Sequence, residues 1–151
     1  MTSKTGERTG RALRVTLELS ASPADTQVVL DGLRAFNVEV IGQPNIQPVT
    51  LFVRDESGTV LGGLISEIKW RWLYIAKLWI ADALRGQGFG RQLMEQVEEH
   101  AWREGCLGIH VDTFEYQALP FYQKLGYEVF GVLDGFPPGY KKFYLKKYRA
   151  D

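Results

Sequence analysis

The apolar positions of the chain follow two periods, and the switch between them falls at turn residues. Leu13, Val15, Leu17 and Leu19 alternate with Arg14, Thr16 and Glu18, which predicts a half-buried strand. Ser22, Pro23 and Asp25 then open a helix, with Ser22 as N-cap and Pro23 in the first helical position. Leu30, Leu33 and Val38 are expected on its inner face, and the helix should end near Gly42. Pro44 and Pro48 mark a loop. Three strands follow over residues 50–54, Val60–Lys69 and Trp72–Ile80, joined by a hairpin turn at 55–58 and a tight connection at Trp70 and Arg71.

From Gly88 onward the period changes. Phe89, Leu93, Val97 and Ala101 recur at steps of four with Met94 beside them, a helical face, and Gly105 stops it. Residues 107–113 read as a strand, 116–125 as a short helix ended by Gly126, and 127–133 as a strand. Phe136, Pro137, Pro138 and Gly139 interrupt before a last strand at 141–147. The order is strand, helix, three strands, helix, strand, helix, two strands. That predicts an α/β domain with a mixed sheet, not the regular strand–helix alternation of a doubly wound fold. Residues 1–10 are polar and small and read as a flexible lead-in, leaving 11–151 as the domain.

Composition narrows the function classes. A chain of 151 residues with 45% hydrophobic and 24% charged residues fits one ordinary globular domain. Lys and Arg total 18 and Asp and Glu total 18, so no basic excess supports a nucleic-acid or membrane-surface binder. No apolar run approaches the roughly 18 residues of a spanning helix, and residues 1–10 lack the apolar stretch of a secretory signal. A soluble, cytoplasmic protein is the expectation. Cys106 is the single cysteine, so no intramolecular disulfide forms. His100 and His110 lack metal-ligand spacing, and no metal is expected.

The chemistry concentrates where the strand Trp72–Ile80 runs into the helix. Gly86, Gly88 and Gly90 alternate with Gln87 and Phe89 and lead directly into the helix. Free N–H groups and the positive end of a helix dipole, approached through glycines, suit a phosphate or pyrophosphate. A P-loop is absent, since no Gly-Lys-Ser/Thr follows a glycine at the required spacing. The dinucleotide fingerprint fails too, because the glycines are spaced two and two, and several strands precede them.

Arg85-Gly86-Gln87-Gly88-Phe89-Gly90 resembles the pyrophosphate motif of the GNAT superfamily of N-acetyltransferases, Q/R-x-x-G-x-G/A. The segment from Ala118 to Tyr127, with Tyr122 and Gly126, is similar to the A-x-x-x-Y-x-x-x-G-F/Y signature of that superfamily. The strand order fits as well, and the likeness spans about residues 11–148. Gly62-Gly63-Leu64, Leu78-Trp79-Ile80 and Phe136-Pro137-Pro138-Gly139 resemble small bacterial members. The resemblance implies a single GNAT domain, with a mixed, mostly antiparallel twisted sheet flanked by helices. It implies acetyl-CoA as co-substrate and a primary amine on a small molecule or peptide as acceptor, and makes a homodimer an option.

The resemblance also implies roles. Arg85, Gly86, Gln87, Gly88, Phe89, Gly90 and Arg91 would hold the pyrophosphate. Leu78, Trp79 and Ile80 would pair their main chain with the pantetheine arm, and one of their N–H groups would polarise the thioester carbonyl. Tyr122 would contact the cofactor sulfur and protonate the departing thiolate; an ordinary phenol is neutral at pH 7 and available as an acid. Glu67 and Asp112 are candidate bases. Trp72, Phe114, Phe136 and Tyr140 are candidate acceptor contacts, set among other aromatics including Tyr116. Glu115 stands where the family pattern has Asn, so Thr113 or Gln117 would have to supply the contact made by that Asn. Two other readings stay open: a non-catalytic acyl-CoA-binding module, and a transferase for longer acyl groups.

Overall fold

The computed structural model describes Gly10 and residues 12–151. The lead-in expected at residues 1–10 otherwise lies outside the described residues. The chain divides into two compact units, one reaching to Gly42 and one over Gln43–Asp151.

Among the described residues of the first unit the one regular element is the helix α1, Pro23–Ile41. Its ends follow the sequence signals: the Ser22 hydroxyl accepts the Asp25 N–H at 3.1 Å, and the Gly42 N–H, at φ +82°, closes on the Val38 carbonyl. One expectation fails here. Residues 13–19 form no strand. Alternation specifies which side of a strand is apolar, but a strand exists only by pairing, and this unit offers no second strand among its described residues.

The second unit is built on six strands: β1 Gln47–Arg54, β2 Val60–Lys69, β3 Trp72–Ile80, β4 Gly108–Phe114, β5 Glu128–Asp134 and β6 Lys141–Tyr148. They lie in the order β1-β2-β3-β4-β6-β5. Every neighbouring pair is antiparallel except β3 with β4. The antiparallel pair β2–β3 closes through Trp70 and Arg71, both at positive φ, 46° and 62°, the geometry of a two-residue hairpin turn. The parallel pair β3–β4 requires a crossover, and α2, Phe89–Arg103, provides it.

α2 buries Leu93, Met94, Val97 and Ala101 against Leu64 and Ile68 of β2, Leu73 and Ile75 of β3, and Ile109 and Val111 of β4. Each fully buried aliphatic side chain contributes roughly 1.5–3 kcal/mol, so this face holds the unit together. The helix stops as expected: the Cys106 N–H reaches the Ala101 carbonyl and Gly105 takes φ +80°. α3, Leu119–Lys124, is shorter than the expected 116–125. The Gln117 side-chain carbonyl accepts the Phe114 N–H at 2.9 Å and fixes a turn where the first helical turn was expected.

One irregularity shapes everything that follows. The β2–β3 register slips between Ile65 and Ser66, which pair with Lys77 and Ile75, so Ala76 is an extra residue. The core-facing residues of β3 therefore fall at Leu73 and Ile75, then at Leu78 and Ile80. A bulge of this kind bends the strand.

Candidate active site

β3 and β4 pair only from Trp72–Gly108 to Ile75–Val111. Beyond Ala76, residues 77–80 keep β2 as neighbour and residues 112–114 keep β6, and the two strands part. The wedge between them opens into a cavity of about 920 Å³. Its walls are Ile75 to Ile80, the turn from Leu84 to Arg91 apart from Gln87, Val111 to Phe114, and Tyr116, Gln117, Ala118, Phe121 and Tyr122 with Lys124 and Leu125. The strand edges facing the wedge offer unpaired main-chain amides.

At one end of the cavity lies the glycine turn. A single 3-10 turn, Asp82–Leu84, follows β3. Arg85 is anchored to Asp82 at 3.0 Å and donates its Nε to the Ile80 carbonyl. Gln87 donates its side-chain amide to the Ala83 carbonyl. Gly86 and Gly88 take φ +77° and +87°, conformations that side-chain-bearing residues reach only with strain. Gly90 differs from both: it has no left-handed φ, and a Cβ there would lie 3.4 Å from the Phe121 ring, an ordinary contact. The first bond of α2 runs from the Gln92 N–H to the Gly88 carbonyl, and Gly88 offers no side-chain cap. The N–H groups of Phe89, Gly90 and Arg91 therefore have no helical acceptor. Arg91 adds a guanidinium held by Glu95 at 2.8 Å.

Tyr122 projects from α3 into the cavity and is 4% exposed. Burial, and then the charge of Asp112, pushes its phenol up to about 12. The phenol is therefore neutral, with its proton in place, at any physiological pH. Tyr127, whose ring lies 5.9 Å away, gives the contrast: its hydroxyl donates to Glu98 at 2.9 Å. Burial and Glu98 push that phenol further up still. Lys147 closes the group, 2.9 Å from Glu98 and 2.8 Å from the Leu125 carbonyl. This cluster ties α2, β6 and the end of α3 together and fixes Tyr122 in place.

Asp112 lines the cavity on the face opposite α2. It accepts the Tyr74 hydroxyl at 2.8 Å and lies 3.6 Å from the Lys142 ammonium. Burial, then the Asp112 hydrogen bond, pushes Tyr74 up to about 12. His110, stacked on Tyr74 at 4.8 Å, is pushed down by burial against the pull of Asp112. Neither Tyr74 nor Lys142 was among the expected site residues, because each meets Asp112 only across the sheet.

The remaining candidates separate. Leu78, Trp79 and Ile80 line the wedge, as does Phe114. Phe136 and Tyr140 do not line the cavity themselves; Phe136 packs against Phe114 and Tyr140 against Tyr116, two rings of its wall. Trp72 lies at the far end of β3, against His110 and Tyr148, and Glu67 is exposed on β2; neither lines the cavity. Glu115 accepts the Lys141 N–H at 3.0 Å. Thr113 and Gln117 cap the turn before α3, the Thr113 hydroxyl accepting from the Ala118 N–H at 3.4 Å. Cys106 is buried, and burial pushes its thiol up, which leaves it a poor nucleophile. Among the described residues no group of three His, Cys, Asp or Glu could hold a metal ion, and no helix is long and apolar enough to cross a membrane.

Comparison with known proteins agrees with this geometry. The model of the acetyltransferase (GNAT) family matches residues 29–127. Blasticidin-S acetyltransferase of Streptomyces morookaense is 38% identical over 93 residues, 61% of this chain and 68% of that one. Acetyltransferase Atu2258 of Agrobacterium fabrum is 31% identical over 121 residues, covering 80% and 88%. The crystal structure of an acetyltransferase from Bacillus cereus superposes with a TM-score of 0.83 at 26% identity, covering 89% of this chain and 98% of that one.

Proposed function

The chain belongs to the GNAT family of acetyltransferases, and from that premise we propose that it moves the acetyl group of acetyl-CoA directly to a primary amine, with Tyr122 as general acid. One observation carries the reading: the uncapped start of α2, a parted strand edge and Tyr122 all line one cavity.

The residues present fit the cofactor. Left-handed Gly86 and Gly88 clear the approach to the free amides of Phe89, Gly90 and Arg91, a cradle for a pyrophosphate. Residues 77–80 of β3 offer a strand edge to an amide-containing arm. Acetyl-CoA supplies an acyl thioester open to nucleophilic attack. In the transfer the acceptor nitrogen bonds to the carbonyl carbon, the carbon–sulfur bond breaks, and the amine sheds a proton to solvent. Tyr122 holds the proton that the departing sulfur takes, and its buried position keeps that proton in place until the thiolate forms. Asp112 fits less well as the base. One of its oxygens already accepts from Tyr74, and its other faces Lys142.

The acceptor is drawn from small amine-bearing molecules. The name of the Streptomyces relative supports an antibiotic amine as the first to try. The test is calorimetric titration with acetyl-CoA, CoA and NADH, followed by an amine screen read by thiol release. Micromolar binding of both CoA species, none of NADH, and amine-dependent thiol release are expected. Absence of CoA binding would overturn the reading.

A further inference from the structure

Beyond the bare reaction, four rings cluster at the cavity and stand outside the hydrophobic core: Phe114 and Tyr116 in its wall, and Phe136 and Tyr140 packed against them from outside the lining. Phe114 and Tyr116 stack 5.6 Å apart at 10°. Phe136 meets Phe114 edge-on at 5.5 Å, and Tyr140 meets Tyr116 at 4.9 Å and 74°. Tyr116, Phe136 and Tyr140 keep 56%, 45% and 47% of their surface exposed. Burial of their own area therefore does not explain the cluster.

The rings are also held in place. The Glu115 N–H donates to the Lys141 carbonyl and the Glu115 carboxylate accepts the Lys141 N–H, so the end of β4 is zipped to the start of β6. The Tyr140 carbonyl accepts the N–H groups of both Gly135 and Phe136. A pre-ordered aromatic cluster binds without paying again for ordering its side chains. Such clusters take either a cation or a flat ring, and the structure discriminates. The Lys142 ammonium already sits 4.8 Å from the centre of Phe136 and 5.6 Å from that of Phe114, beside Asp112. The cation position is filled from within, and a second cation would be repelled.

Resting on the acetyltransferase reading, we infer that the ring cluster at the cavity is a specificity subsite for a neutral planar ring, so that the acceptor is an amine tethered to an aromatic or heteroaromatic group. Phe114 and Tyr116 belong to both the cluster and the cavity wall, so a ring stacked there leaves its tethered amine facing the wedge.

The test is a matched pair, phenethylamine and cyclohexylethylamine, which share an amine and a tether and differ in ring planarity. Their affinities are measured by ligand-observed NMR on the full chain, with and without saturating acetyl-CoA. Phenethylamine is expected to bind about tenfold tighter. Tyr116→Leu and Phe136→Leu are expected to bring the ratio to within about twofold. Equal affinities, a ratio that both variants preserve, or no binding by either amine would overturn the subsite. Because acetyl-CoA binding is measured separately on the same protein, loss of the cofactor reading and loss of the subsite give different results.

Discussion

At the glycine turn the groups that face the cavity are main-chain amides, exposed by two left-handed glycines and by the uncapped start of α2. Elsewhere on the wall they are side chains: Asp112, Phe114 and Tyr116, with Phe136 and Tyr140 packed against the two rings from outside the lining. The first region presents atoms every residue carries and depends on backbone conformation. The second depends on which side chains the sequence places there. Tyr122, a single buried phenol in the cavity wall, belongs to neither kind. Substitutions should therefore act differently at each place: conformational ones at the turn, chemical ones at Tyr122, and shape-changing ones at the rings.

The sharpest break is Tyr122→Phe. It keeps the ring and removes the proton, so kcat should fall about 100-fold or more while acetyl-CoA affinity measured by calorimetry stays within about twofold. Unaltered turnover would remove Tyr122 from the mechanism. Gly88→Ala should weaken acetyl-CoA about tenfold, because a Cβ at φ +87° costs roughly 1–2 kcal/mol and the amides must shift to relieve it. Gly90→Ala is the control for that argument. Its added methyl meets only the end of the Phe121 ring at 3.4 Å, so acetyl-CoA affinity should change less than about threefold, while the helix gains up to about 1 kcal/mol in urea unfolding.

The tyrosines sharpen the comparison through pH. Tyr74 and Tyr122 are pushed up to about 12 in the folded chain, against about 10 when unfolded. A raised phenol pKa means the native state keeps its protons longer. The stability from these groups is complete below about pH 10 and is lost as pH rises toward 12. Urea unfolding should give a flat profile up to about pH 10 and a decline above it, and Tyr122→Phe should make that decline shallower. An identical decline in the variant would mean Tyr122 is not buried as described.

Most of the second unit was legible because its signals are local. β2 and β3 occupy the residues their alternation marks, and α2 begins within one residue of the predicted start. The glycine turn was legible for the same reason, since glycines, strand and helix are contiguous in sequence. What escaped is non-local. Tyr74, Asp112 and Lys142 meet across three strands, and Glu98, Tyr127 and Lys147 join α2 to β6 and to the turn after α3. No spacing rule along the chain encodes those contacts. The error at residues 13–19 has the same root, because alternation cannot report whether a partner edge exists. One missed feature did leave a trace: the apolar positions of β3 step by two from Leu73 to Ile75, by three to Leu78, and by two again to Ile80.

That step of three is Ala76, the residue of β3 without a partner on β2, and β3 and β4 part just beyond its neighbour Ile75. Without Ala76 the inward side chains of β3 would alternate without interruption from Leu73 to Ile80, with the pairings to β2 kept on either side. The same apolar pattern thus serves a straight strand or a bent one, and one residue that belongs to neither face decides which.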